Sequence, residues 1–139
     1  MRTTAGGFKL AAAATAKQAI DPRPRTQRQS LELSGSIART IGKLTPTAAV
    51  FWTPRDLGLI GRSLYIEGGA SYALTKHLSA SAGVSRRHRS LMTDYTAWNA
   101  GATWAPAKHF ALDARYYDTD GGSAHPYRAR AVVTGTLSF

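Results

Sequence analysis

From Leu31 to the end of the chain, apolar and polar residues alternate with a period of two. Leu31, Leu33, Gly35 and Ile37 are interleaved with Glu32, Ser34 and Ser36, and the next segment sets Leu44, Ala48, Val50 and Trp52 against Thr45, Thr47 and Thr53. A third opposes Leu64, Ile66, Ala70, Tyr72 and Leu74 to Tyr65, Glu67, Gly69 and Ser71, and a fourth opposes Leu78, Ala80, Ala82 and Val84 to Ser79, Ser81 and Ser85. Trp98, Ala100, Ala102 and Trp104 alternate with Asn99, Gly101 and Thr103; Phe110, Leu112, Ala114 and Tyr116 alternate with Asp113, Arg115 and Tyr117. The last segment runs Tyr127, Ala129, Ala131, Val133, Leu137 and Phe139 against Arg128, Arg130, Thr134, Thr136 and Ser138. Strict alternation places successive side chains on opposite faces of a strand, so the pattern predicts about seven strands, each apolar on one face and polar on the other.

The chain also repeats itself. GASYALTKHLSAS from Gly69 returns as GATWAPAKHFALD from Gly101, and GSIARTIGKLTPTA from Gly35 is a weaker copy. Each copy covers the end of one predicted strand, a tight turn and the start of the next, so the repeated unit is a hairpin and its role is architectural. The connections at Ile41-Gly42-Lys43, Thr75-Lys76-His77 and Pro106-Ala107-Lys108-His109 are short, whereas TPRDLGLIGR, RRHRSLMTD and DTDGGSAHPYR are long. Short and long alternate along the chain. An up-and-down meander with tight turns at one end and long loops at the other is the arrangement of outer-membrane β-barrels, whereas Greek-key sandwiches mix lengths at both ends. Aromatic residues lie toward the ends of the apolar faces, at Trp52, Tyr72, Trp98, Trp104, Phe110, Tyr116 and Tyr127, where interfacial girdles are found.

Residues 1–30 differ in kind. MRTTAGGFKLAAAATAKQAIDPRPRTQRQS lacks the alternation and contains DPRPR, and reads as a disordered leader or a degenerate signal region preceding a β-barrel domain at 31–139. Strands lost from the N-terminal side would make that barrel incomplete.

Charge and composition narrow the function. The net charge is +10, and residues 1–30 and 31–139 contribute +5 each. In the second part the basic residues gather at the ends of apolar stretches and form no single stripe, which weakens a nucleic-acid reading. The chain has no cysteine, which excludes disulfides and thiolate chemistry. No apolar run is long enough for a membrane-spanning helix, a test that strands escape. His77, His88, His109 and His125 show no metal-ligand spacing, and Asp118 and Asp120 lack the rest of a calcium loop. With no Gly-x-Ser-x-Gly elbow either, the sequence offers no catalytic, cofactor or metal site.

SLYIEGGASYALTKHLSASAGV, DYTAWNAGATWAPAKHFALDARYYDTD and the terminal ARAVVTGTLSF together resemble the C-terminal half of the TorF-type porins of Gram-negative outer membranes. The resemblance covers roughly residues 31–139. It implies an outer-membrane barrel that passes small polar solutes by diffusion, without chemistry, and a last strand in which Val133, Leu137 and Phe139 carry the signal read by the barrel-assembly machinery. The fold expected is therefore all-β, an antiparallel up-and-down transmembrane barrel or part of one. Its lumen would be lined by Glu32, Tyr65, Glu67, Asn99, Asp113, Arg115, Tyr117, Arg128 and Arg130. Arg55, Arg62, Arg86, Arg87 and Arg89, placed on the long loops, would meet the phosphates of outer-leaflet lipopolysaccharide. Assembly as a homo-oligomer is compatible with all of this. The competing readings are a soluble basic β-domain that binds an acidic partner such as nucleic acid, and a structural barrel with a plugged lumen.

Overall fold

The computed structural model describes residues 1–20, 26–122 and 127–138. Nine strands account for most of them: β1 (Arg2–Ala5), β2 (Phe8–Gln18), β3 (Gln29–Arg39), β4 (Leu44–Asp56), β5 (Gly61–Ala73), β6 (Leu78–Arg89), β7 (Tyr95–Ala107), β8 (Phe110–Thr119) and β9 (Arg130–Leu137). Each pairs antiparallel with the next, giving one sheet in the order β1 to β9. Among the described residues the sheet is an open meander: β1 pairs with β2 alone and β9 with β8 alone.

The expectation of seven strands is corrected to nine, and the additional pair lies in the stretch read as a disordered leader. β2 forms an eleven-position ladder with β3, from Phe8↔Arg39 to Gln18↔Gln29. Its alternation exists but is muted, because alanine stands on both faces. Leu10, Ala12, Ala14 and Ala16 register with the apolar Ile37, Gly35, Leu33 and Leu31, while Thr15 and Lys17 register with Glu32 and Ser30. Lys17 donates to the Glu32 carboxylate at 2.6 Å, and the Arg39 guanidinium lies 4.8 Å from the centroid of the Phe8 ring.

The strands also run further than the apolar alternation. β4, β5 and β7 reach 13 residues each, more than the roughly 9–11 that a tilted strand needs to cross a hydrocarbon layer. They absorb much of what the sequence presents as long loops. The ladder between β5 and β6 continues through Ile66↔Arg86, Tyr65↔Arg87, Leu64↔His88 and Ser63↔Arg89, so Arg86, Arg87 and Arg89 belong to a strand and not to a loop. Backbone pairing is indifferent to side-chain polarity, and an arginine facing water on either side of a sheet leaves the ladder intact. The connections at 57–60 and 90–94 are consequently close in length to those at 40–43 and 74–77.

The distribution of exposure is inverted relative to an ordinary domain core. Among the described residues no apolar side chain is buried, whereas Ser30, Thr53, Asp56, Ser63 and Arg89 are. Ile66 is 53% exposed, Val84 55% and Val133 68%, against 2% for Thr53 and 3% for Ser63. Along β6 and β7 the alternation is regular: Ala82, Val84, Trp98, Ala100, Ala102 and Trp104 are exposed, and the intervening polar or small residues are half-buried or buried. The sheet coils around its polar face.

Glycines on that face permit the coiling. A Cβ added to Gly69 would stand 2.7 Å from the Ala82 carbonyl oxygen, and one added to Gly101 would stand 2.6 Å from that of Ala114. Gly69 and Gly101 hold the same place in the two strong copies of the sequence repeat. The repeat therefore preserves a point at which neighbouring backbones close in.

Candidate functional site

The candidate site is the polar face, and its centre is organised by Arg115 on β8. The register sets Gly101 of β7 opposite both Arg115 and Ser81 of β6. Because Gly101 has no side chain, the Arg115 guanidinium lies across β7 and donates to Ser81 Oγ at 2.8 Å. It also donates to Asn99 Oδ1 at 2.7 Å and to both carboxylate oxygens of Asp113, at 3.0 and 3.2 Å. Thr103 donates to Asp113 at 2.7 Å. Three strands are thus joined by one charge-assisted network, in which every polar group is both held and directed.

A second group occupies the end of the face near the 57–60 and 90–94 connections. Arg87 Nη2 donates to Asp56 Oδ2 at 2.8 Å and Arg87 Nε to Ser63 Oγ at 3.1 Å, tying β6 to the end of β4 and the start of β5. Asp56 follows an irregularity in the β4–β5 register after Thr53. Arg89 donates to Tyr127 Oη at 2.9 Å and to the Thr93 carbonyl, and its guanidinium lies 4.9 Å from the Tyr95 ring centroid and 5.8 Å from that of Tyr127. The rings of Tyr95 and Tyr127 meet edge to face at 5.4 Å. In the adjoining connection, Asp94 accepts from the Arg89 backbone N–H at 2.9 Å and pairs with His88 Nδ1 at 2.7 Å. The His88 contact first, and the Arg89 N–H after it, hold the Asp94 carboxyl below the usual carboxylate range.

At the opposite end the repeat makes a third set of contacts. Lys43, His77 and His109 hold the same position in the three copies. Their carbonyl oxygens accept the backbone N–H groups of Ala73, Ala105 and Ser138, at 2.9, 2.7 and 3.0 Å. His77 Nδ1 also stands 3.0 Å from the Ala105 carbonyl, and His109 Nδ1 2.9 Å from that of Ser138. Each turn thereby extends the ladder to the next hairpin, which gives the recurring Lys-His turn a structural role.

The register puts Glu32, Tyr65, Glu67, Asn99, Asp113, Arg115, Tyr117 and Arg130 on this one polar face. Arg128 precedes β9 and takes no part in the ladder. Trp52, Tyr72, Trp104, Phe110 and Tyr116 register with apolar partners on the opposite face, together with Val133 and Leu137, and Trp98 stands there between Val84 and Asp118. Phe139 and His125 lie outside the described residues. Tyr127 departs from the expected girdle. The parity of β9 does not extend back through Arg128, and the Tyr127 ring instead turns onto the polar face against Tyr95 and Arg89.

The arginine set expected to face lipid phosphates divides in two. Arg55, Arg62 and Arg86 are exposed, Arg86 on the apolar side of β6, whereas Arg87 and Arg89 point to the polar face and are engaged there. Among the described residues no cluster of acidic, histidine or cysteine side chains could hold a metal ion. The Asp56, Ser63 and Tyr127 contacts join segments far apart in sequence, and no local signal announces them.

A family model described as a bacterial protein of unknown function (Gcw_chp) matches residues 20–137. The chain belongs to this family. The match to Gcw_chp begins just after β2 and takes in every strand from β3 to β9. No curated protein and no solved structure matches the chain. The Gcw_chp assignment thus coincides with the stretch that contains the hairpin repeat and the polar-face networks.

Proposed function

We propose that the chain forms the wall, or part of the wall, of an outer-membrane β-barrel through which small polar solutes diffuse. The inverted exposure carries this reading. A soluble sheet hides its apolar face against a second layer, whereas here no described apolar side chain is buried and the side chains that are buried are polar ones on the other face. Lipid is a partner that would cover the apolar face, and water would fill the other.

Dimensions support the same reading. Trp98 and Trp104 on β7, like Tyr116 and Phe110 on β8, flank a short stretch of small or aliphatic residues on the exposed face. Six residues of strand span about 20 Å, close to the apolar band of about 25 Å between aromatic girdles. Arg62 and Arg86 then sit just past the Trp98 end, where a lipid phosphate would lie. A continuous wall requires the edges at β1 and β9 to meet each other, further strands or a second copy of the chain, since an edge left open in hydrocarbon has unsatisfied backbone groups.

The test is release of a small neutral sugar from vesicles into which the chain has been folded. Release that depends on solute size supports a pore. Full insertion without release would point to a structural barrel with a plugged lumen, and recovery of the chain as a soluble monomer in the absence of detergent would point to a basic soluble domain.

A further inference from the structure

At the Arg87–Arg89 end the polar face is hollowed into an open cleft of about 610 Å³, within the size range of small-molecule sites. Tyr65, Tyr117 and Tyr127 contribute to its walls, with Arg87, Arg89 and Arg130, and Asp118 is the acidic residue among them. Arg87 is neutralised locally by Asp56. Arg89 is not comparable. It is only 9% exposed, its partners are a phenol and a backbone carbonyl, and among the described residues no carboxylate stands within ion-pair distance of its guanidinium. Its Nε is buried and has no hydrogen-bond partner. A buried guanidinium without a counter-ion is destabilising, and an anion that reaches it relieves that penalty.

Resting on the reading of this face as the solute-facing one, we infer that the cleft is a binding site for small aromatic carboxylates of the benzoate class. The carboxylate supplies the counter-ion that Arg89 lacks, in the planar geometry a guanidinium favours. The ring lies against the tyrosine walls, whose edges and faces suit an aromatic body better than a hydrated inorganic ion.

The experiment is calorimetric titration of the full chain, folded in detergent micelles, with benzoate, the uncharged isostere benzamide and inorganic phosphate. Benzoate is expected to bind at least tenfold more tightly than either of the others, and Arg89→Lys, which keeps the charge and loses the planar guanidinium, should weaken it severalfold. Circular dichroism checks that the variant folds; if it does not, Arg130→Gln, on the exposed edge strand, is the variant that decides. Benzamide or phosphate bound as well as benzoate, or an affinity unchanged in the folded variant, overturns the inference. Micelle binding requires no conduction, so a negative result leaves the pore reading standing, and failed sugar release leaves this result standing.

Discussion

Gly101 shows how much of this architecture depends on the absence of a single atom. Its missing Cβ lets β8 approach β7 and lets Arg115 cross to Ser81. Gly101→Val would force the backbones apart and obstruct the guanidinium, at about 1–3 kcal/mol for the overpacking alone. Gly135→Val on β9, where an added Cβ meets nothing within 4 Å, should be nearly neutral. Urea unfolding of both variants in micelles measures the contrast; a lower midpoint for the first alone is the expected outcome. Asp94 supplies a pH dependence. A carboxyl held low in the folded chain adds stability above its unfolded pKa, about 3.9, and that contribution disappears as pH falls through the lower folded value. Wild type should therefore melt above Asp94→Asn at pH 7, and the gap should close in acid below about pH 3.9. A gap that persisted in acid would show that the aspartate acts through something other than its charge.

Individual strands were legible in the sequence wherever the two faces differed in polarity. Leu78 to Val84 against Ser79 to Ser85 leaves no ambiguity, and the observed β6 follows it. β2 was not legible, because Ala11, Ala12, Ala13 and Ala14 alternate in direction without alternating in hydrophobicity. Strand ends were hidden for a related reason: Arg86 to Arg89 resemble a solvated loop until pairing with Ser63 to Ile66 places them in the ladder. Of the polar-face residues, parity identified Glu32, Tyr65, Glu67, Asn99, Asp113, Arg115, Tyr117 and Arg130. It could not reveal that Arg115 spans three strands or that Tyr127 folds back on Tyr95, since those contacts depend on sheet curvature and on where β9 begins. The two faces should respond differently to an added charge. Ala100→Arg, central on the exposed face of β7, should lower folding stability in bilayers by about 2–4 kcal/mol. Thr134→Arg, which faces Asp113 across the β8–β9 ladder, should be tolerated. Equal penalties at the two sites would mean that neither face meets hydrocarbon.

Over the whole molecule the charges on the polar face are unevenly placed. Glu32, Asp56 and Glu67 lie on β3 to β5, while Arg87, Arg89, Arg115 and Arg130 lie on β6 to β9; Lys17 answers Glu32, Arg87 answers Asp56 and Asp113 answers Arg115. If the sheet closes, the arginine-rich β6–β9 side faces a side on which Glu67 is the acid outside these pairs, and a transverse field acts on whatever passes. All of this presupposes that the bare apolar face is covered by lipid. Trp52, Trp98 and Trp104 stand on that face at 41%, 42% and 48% exposure, and they are the chain's full set of tryptophans. The most direct measurement is therefore quenching of their fluorescence after folding into bilayers made with acyl-chain-brominated lipids. The account predicts strong quenching that is greatest for bromines near the head groups, where an aromatic girdle lies. Emission that is insensitive to bromine at every depth would contradict it.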